Sequence, residues 1–482
     1  MLVWLIIIPV LAAFLIGLAR FPARPVSLLA AAFTLVLGVA AVVFYDACPE
    51  WWSCVGGIPL QLTLGPPLAK VMVLLSVLVT FGAVVGLKAP EGAQKSWYVS
   101  TLLISAGAAG AFLSDNIISF FAFHELALIP TFVMIGRFGR GDRRSIAWRI
   151  TLYLGAASMV LLAGLLLLGA QMGFNFTQIA QSAALGGELE YPFATAALLL
   201  GGFGTLISLF PFHSWAAPAY ASAPAPVAMM HAGVLKKFGL YGLFMIGSAL
   251  GPQIAAFSGL LNDILLVCLL GNVIWVGYVT VNQKRLDSLL GNSSVMHMGY
   301  IFLAFAAYVA CGGQNEWAVR GAALLMLGHG LSIALLFLLA ARIEDRTRTL
   351  EISALGGLAS KLPVLGFLFG LAALASIGLP LLANFPGEIA IFFSGFWGWR
   401  PSEGILALGH VQIATIVALW GLVISAVYML RAFRSIFEGE TSRASERAAG
   451  GFCGRDLAAA GFLAFWLVFF GLCPFLIAGL FS

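Results

Sequence analysis

The sequence predicts an all-α, polytopic membrane protein with about fourteen transmembrane helices. Of its 482 residues, 61% are hydrophobic and only 9% are charged, whereas about a quarter of the residues in a soluble domain are charged. These charged side chains are too few to cover the surface of a water-soluble protein of this size. The main solvent of the chain must therefore be lipid. Apolar runs of roughly 17–25 residues, the length that crosses a bilayer, repeat along the chain.

The predicted helices are numbered 1 to 14 in chain order. The first run has no basic flank and no clear cleavage site, which predicts a retained helix rather than a signal peptide. The twelfth run is too long for one straight helix and contains Gly378, Pro380 and Pro386, which predicts a broken helix. The seventh ends in a Pro- and Ala-rich loop, residues 210–226, which predicts a second break. The fourteen runs are 2–19, 26–45, 69–87, 97–113, 115–135, 147–170, 193–210, 224–248, 254–281, 294–311, 317–341, 363–397, 409–437 and 457–480.

The positions of lysine and arginine support this number of helices. The loops and helix edges after odd-numbered helices hold most of the 25 basic residues, whereas the other loops hold only Lys70, Arg320 and Arg400. Cytoplasmic loops are the ones enriched in lysine and arginine. The pattern therefore predicts a multi-pass protein of a bacterial inner membrane with both termini outside, on the periplasmic side.

Several functional classes are excluded by what the sequence lacks. The six cysteines include no CxxC pair, so we expect no metal or iron–sulfur site. Patterns typical of a serine nucleophile or a phosphate-binding loop are absent, and no basic patch interleaved with aromatic residues suggests nucleic acid. We therefore expect no cofactor in this chain and no activity as an isolated enzyme.

Ionisable residues within the predicted helices are the first candidates for function. A charge at mid-bilayer costs about 2.5–3.5 kcal/mol or more, so such residues are rare and usually functional. Glu125 lies in helix 5, Lys236 and Lys237 lie in helix 8, and Glu388 follows the break in helix 12. The structural alternatives are a neutral glutamic acid bonded to a carbonyl, two lysines that snorkel to the interface, and a glutamate at a loop end.

Five histidines extend this set. His297 and His329 fall near or within helices 10 and 11, His213 and His231 flank the connection between helices 7 and 8, and His124 precedes Glu125. A lone buried histidine is usually a core residue with satisfied hydrogen bonds. Several in one membrane plane suggest a proton relay, because imidazole both accepts and donates protons near neutral pH.

Six motifs resemble, in order, the signatures of the antiporter-like, proton-translocating subunits of respiratory complex I (NADH:quinone oxidoreductase). The similarity runs from about Asp115 to Gly439, and its details favour the chain M (chain 4) type over the chain L and N types. The motifs are Phe123-His124-Glu125-Leu126 with Ile129-Pro130; Pro211-Phe212-His213-Ser214-Trp215; Ala223-Pro224 with Gly233-Val234-Leu235-Lys236-Lys237 and Tyr241-Gly242; Lys284-Arg285-Leu286 with Ser293-Ser294 and His297-Met298-Gly299-Tyr300; His329-Gly330-Leu331-Ser332; and Asn384-Phe385-Pro386-Gly387-Glu388.

The resemblance implies a fold and a division of the chain. Residues 1–96 would form helices 1–3, and residues 97–248 the first of two inverted five-helix repeats, helices 4–8. Residues 254–437 would form the second repeat, helices 9–13, and residues 438–482 a cytoplasmic loop and helix 14. The broken helices 7 and 12 would occupy equivalent places in the two repeats.

The resemblance also implies a function. Glu125, Lys237, Glu388, His297 and His329 match family residues that line a polar axis across the middle of the membrane, through which protons enter and leave. Redox chemistry takes place in other chains, so this chain would be a non-redox translocase subunit of a hetero-oligomer. Its partners would be neighbouring membrane-arm subunits and lipid. Protons would pass from the cytoplasm, near His213 and the helix 7 break, through Lys237, His329 and His297 to Glu388.

The sequence departs from the family at the helix 7 break. The family has a lysine seven residues before the histidine of Pro-x-His, where this chain has Leu206, and its Leu-Pro-Asp-Ala-His is replaced by residues 216–220. We expect another cation, such as Lys236, His124 or Arg149, to replace the missing partner of Glu125. Two alternatives stay open: a subunit of a sodium/proton antiporter or membrane-bound hydrogenase, and a structural subunit that no longer conducts.

Overall fold

The computed structural model describes residues 1–45, 50–55, 58–86, 89–400, 407–448, 452 and 454–481, with only the backbone for residues 50–55 and 58–60. Across these ranges, eleven helices are long and apolar enough to cross a membrane, and three shorter apolar helices accompany them: Trp4–Gly17, Pro192–Ile207 and Pro363–Ser376. The last two are segments of the predicted broken helices. The all-α polytopic fold is therefore confirmed.

Helices 1 to 6 are each one continuous segment. They are Trp4–Gly17, Ala23–Phe44, Pro67–Gly86, Gln94–Leu113, Ile117–Phe138 and Arg143–Met172. Polar side chains cap two of them where the chain turns at the membrane boundary. The side chain of Asn116 accepts bonds from the first amides of helix 5, and Asp142 does so for helix 6.

Helices 7 and 12 are broken, as predicted. Helix 7 consists of Pro192–Ile207 and Ala216–Ser222, and helix 12 consists of Pro363–Ser376 and Asn384–Gly395. The first break begins at Ser208, which adopts a left-handed conformation with φ of 65°. The break in helix 12 contains Gly378, with φ of 80°, a conformation that favours glycine.

Helix 8 occupies the predicted span but is interrupted within it, which the sequence did not predict. It consists of Ala225–Gly233, a 3₁₀ turn at Leu235–Lys237, and Phe238–Leu250. Val234, with φ of −121° and ψ of −61°, ends the first segment. A 3₁₀ turn has about three residues per turn, so Lys236 and Lys237 point in directions about 120° apart rather than 100°.

The remaining transmembrane segments follow the predicted order. Helix 9 contains a π-helical segment, and helix 13 is divided near Leu419. The segments are Leu260–Leu270, Gly271–Val276 and Gly277–Val281 for helix 9, Leu286–Ala310 for helix 10, Glu316–Thr347 for helix 11, His410–Ala418 and Trp420–Phe437 for helix 13, and Arg455–Leu472 for helix 14.

Short elements lie between or after these helices. The sequence did not predict the antiparallel hairpin of Glu50–Val55 and Ile58–Leu62, nor the short helix Phe176–Ala184. Both lie at the same end of the molecule, where Asp115 bonds to each of them: its amide donates to Gln61 O, and its carbonyl accepts from Phe176 N. The other short segments are Gly251–Phe257, Ile352–Ala354, Leu358–Ser360, Arg443–Glu446, Phe475–Ala478 and Gly479–Phe481.

Ion pairs at the ends of the helices support the predicted alternation of sides. Arg140 lies 2.7 Å from Glu344 and 3.7 Å from Asp287, so the loop after helix 5, the start of helix 10 and the end of helix 11 share one face. His410 lies 2.7 Å from Asp263, which joins the starts of helices 9 and 13 at the other face. The division into two inverted repeats and the identity of the cytoplasmic face stay predictions.

The molecule is centred on helices 10 and 11. Their membrane-length windows are 94% and 100% buried, whereas the window of helix 2 is only 33% buried. Helices 2, 6 and 13 therefore present apolar side chains to the surroundings, whereas the membrane-spanning parts of helices 10 and 11 are almost entirely surrounded by protein. This explains why helices 10 and 11 carry histidines at low cost: His297 and His329 meet protein, not lipid.

Candidate functional site

Two glycines bring helix 11 into contact with both broken helices of the centre. A Cβ at Gly330 would lie 2.7 Å from Gly233 O in helix 8, and a Cβ at Gly328 would lie 2.8 Å from Asn384 N in helix 12. Any larger residue would force these backbones apart. The sequence Gly-His-Gly therefore places His329 between helices 8 and 12.

Lys237 meets His329 at this contact. Lys237 is 0% exposed, and its amine donates to Ala232 O and lies 3.0 Å from His329 Nδ1. Ala232 O belongs to the end of the first helix 8 segment, where carbonyls lose their helical partners. A charged Lys237 donates to both groups, so the proton of neutral His329 is then on Nε2.

His297 continues the line on the far side of His329. The two rings have centroids 5.3 Å apart. His297 Nδ1 lies 2.7 Å from Ser293 O, and Nε2 lies 2.8 Å from Ser376 O at the break in helix 12. Carbonyl oxygens only accept, and neutral imidazole has one N–H. The environment of His297 is therefore complete only when the ring carries an additional proton.

Glu388 ends the line in a pocket of unpaired polar groups. Glu388 is 2% exposed, and its Oε1, the side-chain amide of Asn384 and the Tyr300 hydroxyl have no hydrogen-bond partner among the described residues. The carboxylate lies against Gly378, where a Cβ would collide with it. Buried polar groups of this kind are normally satisfied by ordered water, so this end of the axis suits a hydrated path.

Glu125 lies at a lateral surface, away from this axis. Its side chain is 32% exposed, and its Oε1 lies 3.3 Å from His124 Nδ1 and accepts a 2.6 Å bond from Ser158 Oγ. The His124 contact is an ion-pair distance without hydrogen-bond geometry. Of the three expected substitutes for the missing lysine, Arg149 instead donates to Ser214 Oγ, so His124 is the one beside Glu125.

The remaining candidates lie near the helix 7 break. Lys236 Nζ is 5.5 Å from the centroid of the Tyr220 ring, and the Tyr220 hydroxyl lies 3.1 Å from His231 Nδ1. We call Lys236, Tyr220 and His231 the Lys236 cluster. His213 is only partly buried and stacks on Phe210 at 5.4 Å, so the structure does not bring it into contact with Lys237.

Asn272 and Tyr220 were missed by the sequence reasoning. The Asn272 amide donates to Ser208 O and Val295 O, each at 3.0 Å, and its Oδ1 accepts from Phe210 N. This one side chain therefore ties the helix 7 break to helices 9 and 10. An asparagine in the middle of an apolar run was the available signal for Asn272, and the replacement of the family histidine was the signal for Tyr220.

Residues 114–414 match the family described as NADH:quinone oxidoreductase/Mrp antiporter, TM. The chain belongs to this family. The resemblance predicted from the motifs is therefore confirmed. Within the described ranges, no three His, Cys, Asp or Glu side chains of this family member form a group that could hold a metal ion.

The similarity of this family member to individual proteins covers most of the chain. NAD(P)H-quinone oxidoreductase chain 4 2 of Microcystis aeruginosa is 32% identical over 379 residues, which are 77% of this chain and 65% of that protein. The chain thus spans slightly less than two thirds of that relative. A chain of respiratory complex I from Thermus thermophilus with bound NADH has a TM-score of 0.87 and 23% identity, with 100% of this chain and 97% of that chain covered.

The same fold occurs in an antiporter complex. A chain of the Mrp complex from Dietzia sp. DQ12-45-1b has a TM-score of 0.81 and 20% identity, with 100% of this chain and 95% of that chain covered. At these identities the structural similarity shows a common fold. The buried lysine, histidines and glutamate must therefore carry the argument for function.

Proposed function

We propose that this chain is a proton-translocating membrane-arm subunit of a complex I-type NADH:quinone oxidoreductase, with no redox group of its own. The observation that supports the proposal is the buried contact of Lys237 with His329 and of His329 with His297, with Glu388 buried beside the helix 12 break that His297 also reaches. Each of these residues can gain and lose a proton, and each lies in protein rather than lipid. The chain 4 relative supports the type of complex.

The first step moves a proton from Lys237 to His329. The two nitrogens already share a 3.0 Å hydrogen bond, so transfer needs no movement of either helix. Afterwards the neutral amine still donates to Ala232 O. A second proton that arrives at Lys237 repels the charge on His329 and drives it onward.

The second step passes the proton through His297 to Glu388. The 5.3 Å between the ring centroids of His329 and His297 leaves a short gap to cross. Protonated His297 donates to both Ser293 O and Ser376 O, which stabilises the intermediate. Glu388 Oε1 is free to accept the proton, and water beside Tyr300 and Asn384 would link the two residues.

Glu125 would connect this axis to a neighbouring subunit. Its partly exposed carboxylate faces the lateral surface, and its partner His124 packs edge-on against Phe238 with ring centroids 5.4 Å apart. Phe238 directly follows Lys237. We therefore propose that a charge on an adjacent membrane-arm subunit acts on Lys237 through Glu125 and His124, and that this chain works within a hetero-oligomer.

Protons would enter from the cytoplasm beside the helix 7 break and leave on the periplasmic side, where both termini would lie. The arginine-rich loops on one face of the molecule support this orientation. Arg144, in the first turn of helix 6, and Glu188, in the loop before helix 7, are exposed at positions predicted to lie on opposite sides of the membrane. Single cysteines at these positions should react with a membrane-impermeant thiol reagent in inside-out and right-side-out vesicles, respectively, and the reverse pattern would invert the topology.

Proton translocation per electron pair in inside-out vesicles tests the proposed function. Lys237→Ala should lower the ratio or abolish coupled activity, because it removes the first proton carrier of the axis. Lys361→Ala is the matched control, since Lys361 is exposed in a loop. If Lys237→Ala preserves the full ratio, the chain is a structural subunit that no longer conducts.

A second candidate is a subunit of a sodium/proton antiporter, which the fold of the Mrp complex favours. The two candidates differ in their driving force. NADH-driven proton uptake without a requirement for Na⁺ supports the first candidate, whereas Na⁺ movement driven by a pH gradient in the absence of NADH supports the second.

A further inference from the structure

The Lys236 cluster contains a buried lysine that the proposed proton axis does not use. Lys236 is 1% exposed, and its amine has no hydrogen-bond partner among the described residues. Its one favourable electrostatic contact there is the Tyr220 ring, whose centroid lies 5.5 Å away. The face of an aromatic ring attracts an ammonium group and offers little to a neutral amine. When Lys236 carries a proton, the Tyr220 ring is therefore the group in the cluster that can stabilise it.

Tyr220 is held in place for this contact. Its hydroxyl shares a 3.1 Å hydrogen bond with His231 Nδ1, and its ring packs at 5.9 Å from the Phe337 ring. Trp215 contacts both Tyr220 and His231. The ring face that meets Lys236 is thus fixed by contacts from helices 7, 8 and 11.

Two departures of the sequence from the family pattern lie close to the Lys236 cluster or within it. Leu206 replaces the family lysine of helix 7, and Tyr220 replaces the histidine of Leu-Pro-Asp-Ala-His. The segment Pro192–Ile207, which ends one residue after Leu206, packs against the turn Leu235–Lys237. A cation is therefore absent from helix 7 and present on the adjacent turn of helix 8.

We propose that Lys236 has taken over the role of the helix 7 lysine, with Tyr220 as its positioning residue. Because Lys236 and Lys237 are adjacent on one 3₁₀ turn, a proton on Lys236 disfavours a proton on Lys237 and drives it toward His329. Glu125 retains His124 as its partner. This inference rests on the proposed function. It means that the residue whose charge governs the proton on Lys237 is its neighbour in the chain, not a lysine on another helix.

The cationic and titratable groups around Lys236 come from helices 7, 8, 10 and 11. They are Lys237 on its own turn, His231 on the preceding segment of helix 8, His213 at the helix 7 break, His297 on helix 10 and His329 on helix 11. Each is neutral or positive, so none would neutralise a charge on Lys236. A proton on Lys236 therefore disfavours a proton on Lys237. Two lysines that hold a proton in turn require this property.

The test compares lysine positions in the assembled complex. Lys236→Met should lower proton translocation per electron pair to the value of Lys237→Ala, and Lys236→Arg should retain it. Adding Leu206→Lys to Lys236→Met should restore the ratio, because the cation returns to the adjacent segment of helix 7. A structural role of Lys236 predicts no such rescue. Full pumping by Lys236→Met, or failure of Leu206→Lys to restore it, would overturn the inference.

Tyr220 variants keep the inference testable if Lys236→Met does not assemble. Tyr220→Phe keeps the ring and should pump at close to the native ratio, whereas Tyr220→Leu should pump at the reduced ratio. Equal ratios for the two variants would contradict the cation–ring contact. If Lys237→Ala stops pumping while Lys236→Met and Tyr220→Leu pump at the native ratio, the proposed function stands and only this inference is refuted.

Discussion

His329 Nδ1 lies 3.0 Å from Lys237 Nζ because the backbones of their helices touch. Gly330 and Gly233 form this contact, and a Cβ on either would approach the carbonyl oxygen of the other to about 3 Å or less. Two residues 92 positions apart in the sequence therefore share a hydrogen bond. The following predictions test that geometry and its neighbours.

Gly330→Ala should separate helices 8 and 11 and lengthen the bond between Lys237 and His329. We expect lower proton translocation and a loss of stability of about 1–3 kcal/mol, as for other overpacked cores. Thermal inactivation of the purified complex measures the second effect. Gly461→Ala is the control, because nothing lies within 4 Å of a Cβ there, and it should behave as the native protein. Equal behaviour of the two variants would show that the contact is not needed.

His297→Gln should stop conduction while the complex still assembles. A glutamine amide can donate to Ser293 O or Ser376 O but cannot take up a proton near neutral pH. We expect proton translocation per electron pair to fall while electron transfer to a quinone analogue persists in detergent. His410→Gln is the control, since His410 is exposed and pairs with Asp263. Full pumping by His297→Gln would remove His297 from the path.

His124→Asn should weaken the link from the lateral surface to Lys237. The variant leaves Glu125 with the Ser158 hydroxyl alone, so the carboxylate loses its ionisable partner. We expect a lower pumping ratio, whereas Arg149→Gln should change it little because Arg149 contacts Ser214. The same vesicle measurement applies to both. The reverse order of effects would make Arg149 the substitute for the missing lysine.

Gly378→Ala should disturb Glu388. The new Cβ would collide with the carboxylate, and a φ of 80° is unfavourable for alanine, with a cost of about 1 kcal/mol or more before the collision is counted. We expect reduced pumping and earlier thermal inactivation. Adding Glu388→Asp, which shortens the side chain, should recover part of the stability. No recovery in the double variant would show that backbone strain alone explains the loss.

The sequence predicted the architecture because each transmembrane helix must by itself be long and apolar enough to cross the bilayer. Length, apolar content, the basic loops and the positions of glycine and proline are local properties, so the fourteen helices and the breaks at helices 7 and 12 followed from them. The lysines, histidines and glutamates of the axis were found for a similar reason. A charged residue within an apolar run is visible without knowledge of its neighbours.

Features that depend on partners were not predictable in the same way. The interruption of helix 8 at Lys236 and Lys237 contains no proline, and it lies next to the close contact of Gly233 with helix 11. Asn272 acts through carbonyls of helices 7 and 10, which only the folded chain brings together. The choice of His124 over Arg149 and Lys236 beside Glu125 likewise required the distances between side chains.

The Gly328-His329-Gly330 contact also limits how the subunit can respond to its neighbours. Helix 11 touches helices 8 and 12 through backbone atoms, with no deformable side-chain layer at those points. Sliding helix 11 would require both neighbours to travel with it. The path is therefore poorly suited to a piston-like stroke, and its gate is better sought in ring rotations, water rearrangements and shifts of electric field. In such a subunit, the signal that crosses the protein is a change in electrostatic potential rather than a displacement of helices.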